Sequence, residues 1–415
     1  MPSTSARAAY DELLARGLKL DLTRGKPSPA QLDLAAPLLA RDMSDDYRAA
    51  DGTDTRNYGG DNGMGLPELR AIFGELLHIP VDQILALGNA SLQIMHDTVV
   101  HALLHGLPGV NAAWRGEDVA FLCPSPGYDR HFAITEAFGI RMIPVPFDEE
   151  GRLPLDVVAE HLQDPAVKGM WCVPMFANPG GEVYDEETVK ALVLLPAAAD
   201  DFRLFWDNAY SVHVLTDEFP PVVDVLGLAA AAGNPDRVFV FASTSKMTIA
   251  GGGVAFFGSS PANIAWFRRH SAVQTIGPDK VNQLRHVRHF GDADGVRALM
   301  QRHRALVAPK FAATERILAE RLRPEGAAAV AHWTTPAGGY FIALTGPAGT
   351  ATRAVELAKA AGIVLTPAGA AFPYGEDPED AVIRIAPTFP SLEDVEVAVD
   401  GLCTCLLLAI EENAA

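Results

Sequence analysis

Val238-Phe239-Val240-Phe241 runs into Ser243-Thr244-Ser245-Lys246 and then Ala250-Gly251-Gly252-Gly253, and the reading of the chain turns on this join between an apolar strand and a polar, lysine-bearing turn. Two hydroxyls and a lysine leaving the carboxyl end of a buried strand can hold a phosphate and present an amine in the crevice outside the sheet edge. The same tetrapeptide also suits a plain polar turn with an exposed lysine. By itself it marks a strand end and not a chemistry.

Working outward, residues 84 to 260 alternate short apolar runs with helical stretches, the rhythm of βα units. Val119-Ala120-Phe121-Leu122, Met142-Ile143-Pro144-Val145, Met170-Trp171-Cys172-Val173, Leu204-Phe205-Trp206 and Val254-Ala255-Phe256-Phe257 join the opening strand. Their unbroken apolarity predicts burial on both faces, hence an α/β fold with a mostly parallel sheet flanked by helices. Residues 280–322 read as long helices bridging to a second lobe, and a new alternation of strand and helix follows Pro324. The expected organisation is an N-terminal arm and part of a small domain over 1–50, a large domain over 51–300 and a smaller α+β domain over 301–415.

The chain has 415 residues, 49% hydrophobic, too long for one small core. Lys+Arg 33 against Asp+Glu 52 leaves a formal charge of −19, which disfavours nucleic acid and anionic membrane surfaces as partners. Arg7, Asp11, Glu12, Arg16 and Lys19 interrupt the first twenty residues, so these read as an amphipathic helix rather than a signal peptide, and no apolar run reaches the roughly 18 residues of a membrane span. Cys123, Cys172, Cys403 and Cys405 are too few for a disulfide scaffold, and a reducing cytoplasm is expected. His101 and His105 share a helix face without a third ligand in the sequence, so no metal site is expected.

Two further strand ends carry chemistry-bearing residues. Trp206-Asp207-Asn208-Ala209-Tyr210 sets a carboxylate and a phenol where a protonated ring nitrogen and its neighbouring oxygen can be paired, although a strand-end Asp also caps helices. Asn178-Pro179-Gly180-Gly181 offers an amide donor, and is equally a common turn.

Asn178, Asp207 with Tyr210, Lys246 and then Arg384 in Ile383-Arg384-Ile385-Ala386-Pro387 stand in the order and spacing of class I/II aminotransferases, and nearly the whole chain resembles these pyridoxal 5′-phosphate enzymes of the aspartate aminotransferase fold. The resemblance implies that Lys246 is the Schiff-base lysine, Asp207 the partner of the pyridine nitrogen, and Asn178 and Tyr210 the pair on the 3′ oxygen, with catalysis resting on Lys246, Asp207 and Tyr210. Tyr128 and His131, in Pro126-Gly127-Tyr128-Asp129-Arg130-His131, take the places of the stacking ring and of the histidine behind the aspartate. Ser243, Ser245 and the Asn89-Ala90-Ser91 loop match phosphate ligands. Tyr58, in Asn57-Tyr58-Gly59-Gly60, and Thr275 match contacts to the neighbouring subunit's phosphate, which implies a homodimer. Arg384 matches the clamp on the substrate α-carboxylate. Gly25 and Pro336-Ala337-Gly338-Gly339-Tyr340-Phe341 resemble substrate-side loops.

Two departures stand out. Gly253 and Val254 occupy the positions where most relatives carry a phosphate-binding arginine, and the usual Asn-Pro-Thr-Gly has become Asn178-Pro179-Gly180-Gly181. With Leu22-Thr23-Arg24-Gly25-Lys26-Pro27 and Thr275-Ile276-Gly277-Pro278-Asp279-Lys280, this combination resembles the divergent bacterial subgroup Ic of aspartate aminotransferases. The resemblance implies an enzyme that takes an amino acid and a 2-oxo acid, moving the amino group of aspartate to 2-oxoglutarate. Arg24, or alternatively Lys280, is expected to read the second carboxylate. A lyase or a neutral amino-acid aminotransferase on the same cofactor is the alternative. A non-enzymatic sensor fused to a DNA-binding module is disfavoured by the acidity and by the absence of room for a helix-turn-helix.

Overall fold

The computed structural model describes residues 5–23, 25–110, 112–148, 150–323 and 328–414. Among these the strands are, in chain order, β1 (Leu20–Asp21), β2 (Ile84–Ala86), β3 (Ala120–Ser125), β4 (Arg141–Pro146), β5 (Val167–Cys172), β6 (Arg203–Asp207), β7 (Val238–Ser243), β8 (Ala255–Gly258), β9 (His332–Trp333), β10 (Ile342–Thr345), β11 (Ile363–Val364) and β12 (Val382–Ile385). A seven-stranded sheet runs β2-β8-β7-β6-β5-β3-β4. The strands β4, β3, β5, β6 and β7 are mutually parallel, and β8 lies antiparallel to β7 and β2.

Successive side chains of a strand point to opposite faces, so a strand that is apolar throughout needs cover on both. Phe239 and Phe241 of β7 lie on one face with Phe121, Trp171, Phe205 and Phe257, under Ile94, Met95 and Trp266 from the helices Ser91–His105 and Pro261–Ser271. Val238, Val240 and Ala242 lie on the other face with Met170, Leu204 and Trp206, under Phe73, Val189 and Leu226. At about 1.5–3 kcal/mol per fully buried large apolar side chain, this two-sided burial holds the carboxyl ends of β5, β6 and β7 level at one edge.

The helix Ala293–Leu322 carries the chain between the lobes. Val296, Leu299 and Met300 pack into the large-domain core, whereas Val307, Phe311 and Leu318 pack into the small-domain core. The boundary expected between residues 300 and 301 falls inside this continuous helix, at the changeover from one core to the other. In the small lobe, β12-β10-β9 form an antiparallel sheet and β1 pairs with β11 in parallel. Tyr10, Leu13 and Leu22 pack into its core, while Ala49 belongs to the large core, so the first fifty residues are shared between the lobes. All four cysteines are buried and free. No helix among the described residues is long and apolar enough to cross a membrane.

Candidate active site

Three parallel strands end together at the sheet edge. There β6 delivers Asp207, β7 delivers Ser243 and the Lys246 turn, and the segment after β5 delivers Asn178. The cleft they border is lined by Ser91, Tyr128, Asn178, Asp207, Tyr210 and Lys246 together with Leu92, Met95, Val173 and Ala209. The fold thus gathers six of the residues expected from the sequence around one space.

Asp207 is buried, and its Oδ2 accepts a 3.0 Å hydrogen bond from His131 Nε2. A carboxylate can only accept, so this contact places the imidazole proton on Nε2. The His131 ring stacks on Trp171 at 4.3 Å with 8° between planes. The Trp171 indole N–H donates to Thr135 Oγ1 at 2.8 Å, and the Thr135 hydroxyl donates to the His131 carbonyl at 2.7 Å. The imidazole is therefore held in plane from behind. In front of it, Asp207 Oδ1 and Asn178 Nδ2 are buried with no hydrogen-bond partner among the described residues. An acceptor and a donor left open on one cleft are what a ring with a protonated nitrogen and a neighbouring oxygen would satisfy.

Lys246 Nζ lies 4.7 Å from the centroid of the Tyr210 ring. Burial holds the Tyr210 phenol well above its ordinary range, and burial pushes that of Tyr128 up to about 12 against the opposing pull of Lys246. Both phenols are therefore protonated hydroxyls at neutral pH. The Lys246 carbonyl accepts from Tyr340 at 3.2 Å, and Gln31 Nε2 bridges the Tyr340 oxygen and His303 Nδ1 at 3.0 and 3.1 Å. The lysine turn is thereby anchored to the N-terminal segment and to the bridging helix.

Beside the lysine turn, Ser245 Oγ donates to the Asn89 carbonyl at 3.3 Å, and the Asn89 side chain donates to Gly251 O at 3.3 Å. Asn89 thus ties the 89–91 loop to the glycine turn, while Ser243 Oγ accepts from the Ser245 amide at 3.4 Å. Ser91 opens the helix Ser91–His105, whose N-terminus favours an anion. Gly253 cannot stand in for an arginine. A Cβ there would sit 2.9 Å from Thr244 Oγ1, and Asn282 Nδ2 holds the carbonyls of Gly252 and Gly253 at 2.9 and 3.1 Å. At the other departure a Cβ on Gly180 would lie 1.7 Å from Glu182 Oε1, the end of a long side chain. The Glu182 carboxyl fills the space of the missing side chain, and burial raises it to about 7.

Arg384, on β12, is 8% exposed at its side chain. Its Nη1 donates to Asn178 Oδ1 at 3.3 Å and to Asp129 Oδ1 at 3.1 Å, and its Nη2 donates to Thr366 Oγ1 at 2.9 Å. The guanidinium carbon lies 5.1 Å from the centroid of the Phe341 ring. Gly25 packs so close to the tip of the same ring that a Cβ there would meet Phe341 Cζ at 2.3 Å.

Other expected residues lie elsewhere. Tyr58 is 80% exposed, and Thr275, also exposed, donates its hydroxyl to Gly277 O at 2.8 Å, so neither faces this chain's own cleft. Ala90 and Thr275 instead line a neighbouring groove of about 670 Å³ with Gln93 and Arg268. The Lys280 amine is buried at the base of the Tyr58 loop, bonded to Gly59 O and 4.0 Å from Asp61 Oδ1, and not at the cleft. Arg24 lies outside the described residues. His101 and His105 do share a face and meet His270 across it, yet among the described residues no group of three or more is arranged to hold a metal ion. Asp129, Thr366, Trp171 and Gln31 belong to no local motif because their partners are distant in the chain, and Thr135 gains its place only through Trp171.

The family model for aspartate amino-transferase matches residues 2–415. A Corynebacterium glutamicum aspartate aminotransferase is 52% identical over 407 residues, 98% of this chain and 93% of that one. A Mycolicibacterium smegmatis protein whose name goes no further than aminotransferase is 61% identical over 97% of this chain and 94% of its own. Among solved structures, an aspartate transaminase from Corynebacterium glutamicum superposes with a TM-score of 0.95 at 52% identity, covering 99% of this chain and 96% of that one. An α-aminoadipate aminotransferase of Thermus thermophilus, bound to N-(5′-phosphopyridoxyl)-L-leucine, shares the fold with a TM-score of 0.75 at 21% identity, over 98% of this chain and 96% of its own.

Proposed function

The chain belongs to the aspartate amino-transferase family and is an aminotransferase, and we propose that it moves the amino group of L-aspartate to 2-oxoglutarate, using pyridoxal 5′-phosphate in a cytoplasmic homodimer. One observation carries the cofactor reading: Asp207 is held by His131 on one oxygen and left open on the other, across a cleft from Lys246. When bound, pyridoxal 5′-phosphate supplies an electron-poor ring that takes up the electron pair released at the substrate Cα.

The remaining work falls to this chain's side chains. Asp207 Oδ1 would accept the proton-bearing ring nitrogen, the carboxyl group being oriented by the His131 bond on its other oxygen. Asn178 Nδ2 and the Tyr210 hydroxyl would donate to the phenolic oxygen, and Tyr128 would cover the ring face. Ser91, Ser243, Ser245 and the amides that open the helix Ser91–His105 would hold the phosphate, in place of the arginine that Gly253 excludes. Lys246 would carry the cofactor, yield it to the incoming amine and then, as a free amine, move the proton at Cα, a step worth about 10²–10⁴ in rate. Arg384 would bind the α-carboxylate in a paired, charge-assisted contact. Tyr58 and Thr275, exposed on their own subunit, would serve the partner's phosphate, with the groove beside Ala90 as the seat of the second copy. Four buried free thiols suit a reducing compartment. The second carboxylate needs a cation of its own, and Arg24 is the residue proposed for it.

Borohydride reduction of the holoenzyme and peptide mapping test the site, with label expected on Lys246. Label on another lysine overturns it. Kinetics with single amino donors test the substrate, with aspartate expected to exceed alanine and aromatic amino acids, and the reverse order makes this a neutral amino-acid aminotransferase. Hybrids of Lys246→Ala with Tyr58→Phe test the dimer, since one intact cross-subunit site restores activity only if Tyr58 serves the partner.

A further inference from the structure

The contacts of Arg384 are not alike. Asn178 and Thr366 offer it neutral oxygens, whereas Asp129 offers a carboxylate, 3.1 Å from Nη1. Arg384 Nε is buried with no partner among the described residues, so the guanidinium is incompletely used. The Asp129 side chain is 32% exposed against 8% for Arg384, and its charge is felt by the buried phenols of Tyr128 and Tyr210. Asp129 thus stands at the rim of the cleft with its carboxylate turned inward onto the clamp.

We propose that Asp129 is an internal stand-in for the substrate α-carboxylate, a positioning residue that neutralises and orients Arg384 between turnovers and is displaced by each incoming substrate. The inference rests on the reading of Arg384 as the α-carboxylate clamp. A buried guanidinium without an anion is costly, and two carboxylates crowded on it repel each other. Asp129 has somewhere else to go. It is the first residue of the helix Asp129–Ala137, where an acidic side chain is favoured by the helix dipole, and a third of it already meets water. The substrate carboxylate therefore replaces one anion with another at little electrostatic cost, and Asp129 competes with the product for the clamp and favours its departure.

The sign of the Asp129→Asn effect separates a competitor from a mere support. The near-isosteric amide keeps the shape and loses the charge, so carboxylates should bind more tightly. The dissociation constant of succinate, which lacks an amino group and cannot react, measured by calorimetry on the holoenzyme, should fall about two- to fivefold, the range of a partly exposed ion pair. The KM for aspartate and for alanine should fall in parallel while kcat does not rise. An unchanged or weaker succinate affinity overturns the proposal and makes Asp129 only a brace. Arg384→Gln in the same titration should abolish succinate binding. If it does not, the reading of Arg384 as the clamp fails instead, a result distinct from any change of sign at Asp129.

Discussion

Replacing Gly25 with alanine tests how the N-terminal segment positions Arg384, the clamp proposed for the substrate carboxylate. Its φ lies outside the left-handed region, so the backbone itself accepts alanine. The obstacle is contact: a Cβ would sit 2.3 Å from Phe341 Cζ and 2.8 and 3.0 Å from its two Cε atoms. With carbon–carbon contacts relaxed at about 3.5–4.0 Å, the ring must retreat by more than about 1 Å. Phe341 is 5% exposed, packed among Phe176, Tyr210 and Tyr340, with the Arg384 guanidinium 5.1 Å from its centroid. Overpacking of this kind costs about 1–3 kcal/mol in stability, and a displacement of about 1 Å at a positioning group costs up to 10² in rate. Gly25→Ala should lower kcat/KM for aspartate about ten- to a hundredfold, chiefly through KM. Steady-state kinetics in a double-mutant cycle with Phe341→Leu isolates the cause, because leucine lacks the three atoms that clash. In that background the alanine should cost less than about threefold, a coupling of more than about 0.7 kcal/mol. Wild-type kinetics for Gly25→Ala, or an equal loss in both backgrounds, would show that contact with Phe341 does not position Arg384.

Burial lowers the histidines His101, His286 and His303 to about 4 and His213 to about 3. Their contribution to stability is complete above the unfolded value near 6.5 and is lost as pH falls toward 4, because only the unfolded chain takes up the protons, each group adding up to about 1.4 kcal/mol per pH unit. Glu182, which keeps its proton to about 7, and Glu315, also raised by burial, work in the opposite sense, but the histidines, with His270 and His289 lowered too, outnumber them. Urea unfolding of the cofactor-free protein should therefore show a steep loss from pH 6.5 to 5, above the ordinary carboxylate range, and a flat profile contradicts it. Trp171→Phe keeps a ring on His131 but loses the bond to Thr135, and should reduce kcat by about fivefold, the worth of roughly 1 kcal/mol, while Trp171→Leu should reduce it further. Equal activities would show that the stack does not orient His131. Arg24→Gln should cost about 1.5–3 kcal/mol, roughly ten- to a hundredfold in kcat/KM, for aspartate and little for alanine. Equal losses for both donors would remove Arg24 as reader of the second carboxylate.

Much of the architecture was legible because it depends on local pattern. The runs at Phe121, Met170, Phe205 and Phe239 are apolar at every position, which only a sheet covered on both faces requires, and all four lie in the central sheet. Asp207 and Lys246 were recognisable because Asp207 is the last residue of β6 and Lys246 stands in the turn three residues past the end of β7, so the end of the strand is also the address of the side chain. The course of the bridging helix was less legible. Gly291 does end the helix Lys280–Phe290, whereas the helix Ala293–Leu322 contains Gly295 and Pro309 and continues, because packing against two cores outweighs one lost backbone bond.

Strand periodicity and short motif spacing are properties of neighbours in the chain, and they carry the α/β fold, the places of Asn178, Asp207 and Lys246 after or at the ends of their strands, and the family resemblance. What those groups touch depends on the packing of distant segments. Asp129 meets Arg384 across 255 positions and His131 meets Asp207 across 76. Trp171 stacks on His131, and Glu182 occupies the space above Gly180. Tyr58 and Thr275 turn outward, away from the cleft of their own chain. Hydrogen bonds and steric exclusion act over a few ångströms in space, and which residues come that close is set by how the sheet, the bridging helix and the small lobe pack, a choice that no run of adjacent residues encodes.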